Sequence, residues 1–274
     1  MQESKMLELY HNALSTCSQK VRFALAEKEV EFKSHEINLV TGQQHDPDYV
    51  RLNPRHVVPT LVSDGIVVRE SSIINEFIED SYATPALLPS APGDRAGVRL
   101  WVKRVDDELH GKTTGTFTHA VLTRSVVLSQ PAEAQEAYLS AIPDQDEQAL
   151  RRDLFALGVA APQFGDAVKR MASFLDDMES ALANGPWLSG GVFSLADISI
   201  VPYIERMDSV GMSAMWKTGK RPNIERWLAD IRGRPAHTKA IGDWVPAAMA
   251  KSLSNIGRAV APEITEIIRL RDVR

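Results

Sequence analysis

Residues 7–25 constrain the fold of this chain more than any other stretch. Apolar and polar residues alternate over 7–10, which is the period-two pattern of a β-strand. A polar turn follows, and apolar residues then recur at helical spacing over 21–25. Residues 31–37 alternate again and predict a second strand. Strand, helix and strand in this order favour a parallel βαβ unit with a right-handed crossover.

Small polar residues occupy the turn between the first strand and the first helix: Ser15, Thr16, Cys17 and Ser18. The N–H groups that a helix leaves unpaired at its first turn, together with the helix dipole, favour negative charge at this position. A hydroxyl or a thiol placed here can therefore interact with that charge. The sequence predicts that the turn holds an anion or a thiolate.

The rest of the N-terminal part completes a small α/β domain. A polar loop and an irregular helix that begins after Pro47 come next. Two short apolar runs, 60–62 and 66–68, are separated by Ser-Asp-Gly, and an Asp-Gly pair between apolar runs favours a hairpin. Ser71 or Ser72 then opens a helix with an apolar face.

The composition argues against several classes of partner. The net charge of −5 gives no electrostatic footprint for nucleic acid. No apolar run approaches the roughly 18 residues that a membrane-spanning helix needs. The single cysteine excludes an internal disulfide, residues 1–5 lack the apolar core of a secretory signal, and no group of cysteines and histidines has metal-ligand spacing. We therefore expect a cytoplasmic protein without a metal, a nucleic-acid partner or a membrane anchor.

The remainder of the chain is helical in pattern. Apolar residues recur at helical spacing over 98–109, and we expect the glycines and β-branched residues of 111–118 to bend or break this helix. Residues 166–182 predict another amphipathic helix. Ser194 and Asp197 predict a capping box, in which each side chain bonds the backbone N–H of the other. We assign Asp197 a structural role.

Short motifs along the chain resemble those of the glutathione transferase superfamily. The polar turn and the helix start, Ser15-Thr16-Cys17-Ser18 followed by Val21-Arg22, are similar to the S-S-C-x-x-x-V-R signature of zeta-class enzymes. Further motifs follow in the order that the superfamily uses: Gly42-Gln43-Gln44, Leu52-Asn53-Pro54, Val58-Pro59-Thr60-Leu61 and Glu70-Ser71. Their joint order and spacing identify the chain as a member of this superfamily, and the resemblance covers nearly the whole chain.

The resemblance implies a fold of two domains. It predicts a thioredoxin-like α/β domain with the element order β-α-β-β-β-α over residues 1–83, a linker over 84–93, and an all-helical bundle over 94–274. We expect residues 125–162 to form an inserted helical segment, either a hairpin or an extended pair of helices. The C-terminal extension after Pro246 is expected to fold over the active site, to take part in a dimer, or to be partly mobile.

The resemblance also implies a catalytic hydroxyl in the first turn. Ser15 matches the residue that stabilises the glutathione thiolate, while Thr16, Cys17 and Ser18 are rivals for that role. A free thiol has a pKa near 8.5, and lowering it by about two units requires roughly 2.7 kcal/mol of preference for the thiolate. A hydroxyl hydrogen bond to an anion contributes about 1.5–3 kcal/mol and a helix N-terminus about 0.3–1 kcal/mol, so the two together suffice. If Cys17 were the nucleophile, mixed disulfides with glutathione and reductive deglutathionylation would replace conjugation.

Further residues are implied to hold glutathione, the co-substrate. A cis Val58–Pro59 bond would turn the backbone N–H and C=O of its first residue toward the cysteinyl backbone of glutathione. Ser71, at a helix N-terminus, would bind the γ-glutamyl carboxylate and Glu70 the amine; alternatively, Ser71 only caps the helix. Gln44 and His56 would hold the glycyl carboxylate, and a solvated loop histidine is the alternative for His56.

The substrate class depends on which resemblance is given more weight. The active-site signature is similar to that of zeta-class enzymes, which isomerise maleylacetoacetate and dehalogenate small α-halo acids. The greater length, the segment 125–162 and the C-terminal extension instead resemble the bacterial glutathione-dependent β-aryl etherases of lignin breakdown, and we favour this hypothesis. The expected partners are glutathione and a small aromatic electrophile, in a homodimer or alternatively a heterodimer. A non-catalytic glutathione-binding protein of the same fold is the third hypothesis.

Overall fold

The computed structural model describes residues 7–272. Residues 1–5, on which the expectation of a chain without a secretory signal depends, lie outside this part. The chain forms two compact units, each assembled from separate stretches of sequence. The first, here called the sheet unit, runs to Val102 and includes Gly185–Pro202 and Leu228–Pro246. The second, the helical unit, contains Lys103–Asn184, Tyr203–Trp227 and the residues from Ala247 onward.

A four-stranded sheet forms the centre of the sheet unit. Its strands are Leu7–His11 (β1), Phe32–Glu36 (β2), Thr60–Ser63 (β3) and Ile66–Arg69 (β4). The order across the sheet is β2-β1-β3-β4, with β1 and β2 parallel and the other two pairs antiparallel. Leu7 and Leu9 of β1 are buried, as the alternation predicts. The predicted βαβ unit and the predicted hairpin are both confirmed.

Three helices connect and follow these strands: Thr16–Glu27 (α1), Pro47–Leu52 (α2) and Ser71–Ser81 (α3). α1 packs against α3. α1 buries Val21, Phe23 and Leu25, and α3 buries Ile74 and Ile78. The order β1-α1-β2-α2-β3-β4-α3 confirms the thioredoxin-like fold that the resemblance implies, and α2 is the helix expected after Pro47.

The remaining helices are numbered in chain order. They are Pro92–Arg104 (α4), Thr116–Thr118 (α5), Arg124–Leu128 (α6), Ala132–Ser140 (α7), Gln145–Leu157 (α8), Pro162–Leu182 (α9), Leu195–Ser209 (α10), Pro222–Arg232 (α11), Pro235–Ala240 (α12) and Ala247–Asp272 (α13). Short 3₁₀ turns lie at Gln43–His45, Gly158–Ala160, Ser213–Met215 and Gly242–Trp244. Within residues 7–272, none of the helices combines the length and the apolar composition that crossing a membrane requires.

Residues far along the sequence complete the sheet unit. α12 packs against α1. At the start of α10, the carboxylate of Asp197 accepts hydrogen bonds from the N–H groups of Ser194 at 3.0 Å and Leu188 at 3.1 Å. The Ser194 hydroxyl accepts one from the N–H of Ala196 at 3.3 Å. The bond from the Ser194 N–H to the buried Asp197 confirms the part of the capping box in which Asp197 reaches back along the chain.

The chain stays helical from α4 through α6. Val105–Gly115 form a π-helix between α4 and α5, and His119–Thr123 form a second one between α5 and α6. Of the two expected outcomes, bending or breaking, the break at 111–118 does not occur, because residues 105–115 continue the helix with π winding. Threonine hydroxyls in this stretch donate to main-chain carbonyls of the preceding turn: Thr113 to Glu108, Thr116 to Lys112 and Thr118 to Thr114.

α9 supplies much of the core of the helical unit. Its buried face includes Met171, Phe174, Leu175 and Met178, which confirms the amphipathic helix predicted over 166–182. In the segment 125–162, α7 and α8 contact each other, and a small apolar cluster lies beside them, formed by Val127, Leu139 and Phe155. This segment is helical in the structure.

α13 makes an unusually close backbone contact with the end of α10. A Cβ atom added to Gly257 of α13 would lie 2.3 Å from the carbonyl oxygen of Ser209. A Cβ added to Gly211, which has a φ of +85°, would lie 2.4 Å from the carbonyl oxygen of Gly257. Only glycine at these two positions allows the two segments to approach this closely.

Candidate active site

The loops that carry the candidate residues lie at one edge of the sheet. In the parallel pair, His11 at the end of β1 lies opposite Glu36 at the end of β2. In the antiparallel pairs, Thr60 at the start of β3 lies opposite Tyr10 of β1 and Arg69 of β4. The loops after β1, after β2, before β3 and after β4 therefore all leave from the same edge. These four loops, together with the first turns of α1 and α3, contain every residue assigned to the site from the sequence.

Ser15 is the N-cap of α1. Its φ and ψ angles are −66° and 121°, and its Oγ accepts a hydrogen bond from the N–H of Ser18 at 3.2 Å. Because Oγ acts as the acceptor in that bond, the hydroxyl proton can be donated to another group. The side chain is partly exposed. A donor therefore sits at the positive end of the helix dipole, where it can stabilise a thiolate.

Asn12 fixes the loop that leads into Ser15. Its Oδ1 accepts from the N–H of Leu14 at 3.0 Å, and its Nδ2 donates to the carbonyl of Ile37 at 3.0 Å. Its own carbonyl accepts from the N–H of Ser15 at 3.3 Å. Sequence reasoning missed this residue, although asparagine side chains commonly accept a hydrogen bond from the backbone N–H two residues later and so stabilise turns.

The rivals of Ser15 differ in exposure. Thr16 and Cys17 lie in the first turn of α1 and are partly exposed. Ser18 is fully buried, and its Oγ accepts a hydrogen bond from the N–H of Asn12 at 3.2 Å. Its structural hydrogen bond and its burial make Ser18 a poor candidate for contact with a ligand.

The Val58–Pro59 peptide bond is cis, as predicted. The loop around it is held by Tyr49 and Asn53, which donate to the carbonyl of Val57 at 2.6 and 2.8 Å. Among residues 7–272, no hydrogen-bond partner occupies the N–H or the C=O of Val58. Both groups can therefore pair with an extended peptide.

Glu70 is the N-cap of α3 and has an unusual backbone conformation. Its φ of 64° and ψ of 116° are rare for a residue with a side chain, and such conformations cost about 1–3 kcal/mol. Its carboxylate lies 2.5 Å from Nη1 of Arg55. Ser71, the first residue of α3, is buried. The interpretation of Ser71 as the N-cap is therefore wrong, because Glu70 occupies that position.

Gln44 and His56 are joined through a third residue, His45. Nε2 of Gln44 lies 3.1 Å from Nε2 of His45, and Nδ1 of His45 lies 3.1 Å from Nδ1 of His56. The Gln44 amide nitrogen can only donate, so His45 accepts at Nε2 and donates from Nδ1, which leaves the proton of neutral His56 on Nε2. Oε1 of Gln44 is buried without a hydrogen-bond partner among the described residues. Sequence reasoning missed His45.

The structure thus links Gln44 to His56 through His45, and it brings Glu70 into direct contact with Arg55. Ser15 and Val58 reach the same sheet edge through the strand register. Arg55 was missed by sequence reasoning as well, because its contact with Glu70 depends on two loops that are separate in sequence. This edge of the sheet offers backbone groups, a hydroxyl and both signs of charge to a small zwitterionic peptide.

Two family models match the chain. Residues 14–81 match the glutathione S-transferase N-terminal domain, and residues 132–230 match the glutathione S-transferase C-terminal domain. Together they account for most of the described chain and include the sheet edge with its candidate residues.

Curated relatives cover nearly the same span. Glutathione S-transferase TCHQD of Arabidopsis thaliana is 26% identical over 253 residues, which are 86% of this chain and 90% of that protein. Tetrachloro-p-hydroquinone reductive dehalogenase of Sphingobium chlorophenolicum is 26% identical over 236 residues, 83% of this chain and 92% of that protein. The crystal structure of β-etherase LigF from Sphingobium sp. strain SYK-6 superposes with a TM-score of 0.77 at 25% identity and covers 87% of this chain and 99% of that one.

Proposed function

The chain belongs to the glutathione S-transferase family, and on this premise we propose that it activates the thiol of its co-substrate glutathione with the Ser15 hydroxyl. The observation that carries the proposal is the N-cap geometry of Ser15. Its Oγ accepts from the N–H of Ser18, so its proton is available to a thiolate at the helix N-terminus. A charge-assisted hydrogen bond of about 1.5–3 kcal/mol is enough to shift the thiol pKa by one to two units.

We propose that the other residues of the sheet edge hold the rest of glutathione. The N–H and C=O of Val58, beside Pro59, would pair with the cysteinyl backbone. Glu70 would bind the α-amine of the γ-glutamyl group, and the first turn of α3 at Ser71 would bind its carboxylate. Gln44 and His56 would bind the glycyl carboxylate. The amide nitrogen of Gln44 has two N–H donors and gives one of them to His45, so the second can be donated to that carboxylate.

The best-supported reaction is the cleavage of a β-aryl ether. In this reaction the thiolate attacks the carbon next to a ketone, and a C–S bond forms as the C–O ether bond breaks. The electron pair of that bond leaves with the phenolate, which takes up a proton equivalent to the one that the thiol lost. The products are a glutathione thioether and a phenol. The likeness to β-etherase LigF along most of both chains supports this choice of a small aromatic electrophile.

The test is glutathione-dependent phenol release from both enantiomers of an aryl ether ketone. Ser15→Ala should lower the rate by about tenfold to a hundredfold, because it removes a hydrogen bond to the thiolate. Thr16→Ala and Cys17→Ala, which remove the neighbouring hydroxyl and thiol, should keep most of the activity. A larger loss in either of these variants than in Ser15→Ala would contradict the role of Ser15. Release no faster than the uncatalysed rate with both enantiomers would reject the etherase assignment.

The second candidate is a zeta-like isomerase or dehalogenase. The S-T-C turn and the likeness to the reductive dehalogenase of Sphingobium chlorophenolicum favour it. Turnover of maleylacetone or of a halogenated hydroquinone, in place of the aryl ether, would identify it. In a dehalogenase that uses Cys17, the loss in Cys17→Ala would exceed that in Ser15→Ala. If the protein binds glutathione but shows no thiolate absorbance, it is a non-catalytic binder.

The assembly and location follow from the same proposal. We expect a homodimer, with a heterodimer as the alternative, and a cytoplasmic location where glutathione is reduced. Sedimentation of the purified protein at micromolar concentration would distinguish a monomer from a dimer.

A further inference from the structure

The guanidinium of Arg22 lies beneath the loop that leads into Ser15. Nη1 donates to the carbonyl of Asn12 at 3.0 Å, and Nη2 donates to the carbonyl of Ala13 at 2.9 Å. The residue is only 1% exposed. The Asn12 carbonyl also accepts from the N–H of Ser15, so a single oxygen atom joins Arg22 to the backbone of the candidate catalytic residue.

His11 supplies a further acceptor to Arg22. Nδ1 of His11 lies 3.0 Å from Nη1 of Arg22, and Nε2 lies 2.8 Å from Oγ of Ser34. Because a guanidinium can only donate, Nδ1 must be unprotonated and the ring proton must be on Nε2. Burial and the neighbouring charge of Arg22 lower the pKa of His11 to about 3, so the ring stays neutral at physiological pH.

A segment from the far end of the sheet unit covers this cluster. Nε of Arg22 donates to the carbonyl of Ala240 at the end of α12, at 2.8 Å. The Trp244 ring lies 4.9 Å from the guanidinium carbon and meets the His11 ring edge-on at 4.6 Å. The indole N–H donates to the carbonyl of Lys239, which fixes the orientation of the ring.

We propose that Arg22 is a positioning residue for Ser15. The carbonyl of Ala240, which accepts a hydrogen bond from Nε, and the ring of Trp244, which packs against the guanidinium, hold Arg22 in place. This inference rests on the proposed function. Arg22 does not donate to the ligand; it sets the position of the two carbonyls that precede Ser15. A shift of a few tenths of an ångström in that loop changes the hydrogen bond that the hydroxyl gives to the thiolate. The segment 235–244 thus acts on catalysis without belonging to the ligand site.

Trp244 is the best residue for the test because its partly exposed ring can be removed without deleting a buried charge. In Trp244→Ala, the pKa of the glutathione thiol bound to the protein, read from thiolate absorbance over a pH series, should rise by about one unit. The dissociation constant of S-methylglutathione, which has no ionisable thiol, should stay within about twofold, since Val58, Glu70 and Gln44 are untouched. Trp244→Phe, which keeps an aromatic face, should restore a pKa near that of the parent.

Trp187→Ala is the matched control. Trp187 is also a partly exposed tryptophan of the sheet unit that packs beside an arginine, Arg234, at 5.7 Å. Its ring packs edge-on against that of Phe193, with the ring centroids 5.0 Å apart. If Trp187→Ala raised the thiol pKa as much as Trp244→Ala does, the effect would be general loosening and the inference would fail.

The two proposals fail in different ways. If the parent protein binds glutathione without any thiolate signal, the proposed function fails. If the parent lowers the thiol pKa and Trp244→Ala leaves it unchanged, the proposed function stands and the positioning role of Arg22 and Trp244 is overturned. Weaker binding of S-methylglutathione to Trp244→Ala, in step with the thiol effect, would also overturn it.

Discussion

At the scale of single residues, burial and the direction of the hydrogen bond between Arg22 and His11 determine which group beneath the β1–α1 loop is charged. His11 is fully buried and must accept from Arg22, so it cannot take up a second proton without losing that bond. Burial is also the main reason that the pKa of Arg22 falls to about 9, which still leaves it a cation at neutral pH. The cluster therefore carries one positive charge, located on Arg22.

The neutral state of His11 predicts a loss of stability in acid. The folded-state pKa of about 3 lies below the ordinary value of 6.5, so the unfolded chain binds a proton between these two values and the folded chain does not. Stability is unaffected above pH 6.5 and falls as the pH drops toward 3. At pH 5 the expected cost is about 2 kcal/mol.

Urea unfolding of the parent and of His11→Asn at pH 7 and pH 5 measures this cost. The asparagine Oδ1 can still accept from Arg22 but does not titrate, so the acid-dependent loss should shrink by about 2 kcal/mol in that variant. His45→Asn, at an exposed histidine, should retain the full loss. An equal pH dependence in His11→Asn and the parent would contradict the assignment.

Ser15, Val58–Pro59 and Glu70 could be proposed from the sequence because each belongs to a short motif of neighbouring residues, which is visible without the structure. Asn12 and His45 were not found in this way. The ring of His45 contacts that of His56, whose backbone has a φ of 56°. Such contacts depend on loop conformation, on which residue spacing carries little information.

At the scale of elements, the glycine contact between α10 and α13 determines how the C-terminal helix docks. Gly257→Ala should destabilise the docked helix by about 1–3 kcal/mol, because the new methyl group would overlap the Ser209 carbonyl. Hydrogen exchange over 247–270 should become faster. Gly97→Ala in α4, where a Cβ meets nothing within 4 Å, is the control and should be neutral or stabilising by up to about 1 kcal/mol.

If Gly257→Ala left hydrogen exchange in α13 unchanged, backbone contact at this point would not be what holds the helix.

The same helix illustrates a limit of sequence reasoning. A C-terminal extension with several possible roles was expected, and in the structure it forms the helix α13. Its docking depends on two glycines that lie far apart in the sequence and carry no local signal.

The π-helical stretches show a related limit. Glycines and threonines over 111–118 predict an interruption on propensity alone. The structure instead continues the helix with π winding, and the hydroxyls of Thr113, Thr116 and Thr118 bond carbonyls of the preceding turn. This change of winding cannot be recognised from the propensities of the residues.

At the scale of the whole molecule, glutathione should stabilise the fold by mass action. At a concentration one hundred times its dissociation constant, it should raise the free energy of unfolding by about 2.7 kcal/mol. In Glu70→Ala, with binding about tenfold weaker, the same concentration should contribute about 1.4 kcal/mol. Ser15→Ala should behave like the parent at mildly acidic pH, where the bound thiol is neutral.

Unfolding with and without glutathione, in parent and variants, provides the measurement. A loss of stabilisation in Ser15→Ala as large as that in Glu70→Ala would mean that the hydroxyl anchors the peptide and does not act on the thiol alone. No stabilisation of the parent would contradict glutathione binding at this sheet edge.

The general architecture was predictable because the motif order and the strand and helix periodicities all point to one fold. What the periodicities do not reveal is that the sheet unit incorporates residues 185–202 and 228–246. Apolar spacing predicts that a helix such as α12 has an apolar face that becomes buried. Which partner buries it, in this case α1, depends on packing across more than two hundred residues of intervening chain.

The bond between Arg22 and Ala240 also has a consequence for synthesis on the ribosome. The nascent chain exposes β1, α1 and the polar turn early, when the acceptor at Ala240 and the cover from Trp244 have not yet been translated. Until they emerge, Arg22 has only part of its hydrogen bonds and the turn is incompletely fixed. The turn that contains Ser15 is thus among the first parts of the polypeptide to be made and among the last to reach its final conformation. A prematurely terminated product would contain Ser15 without the support that orients it.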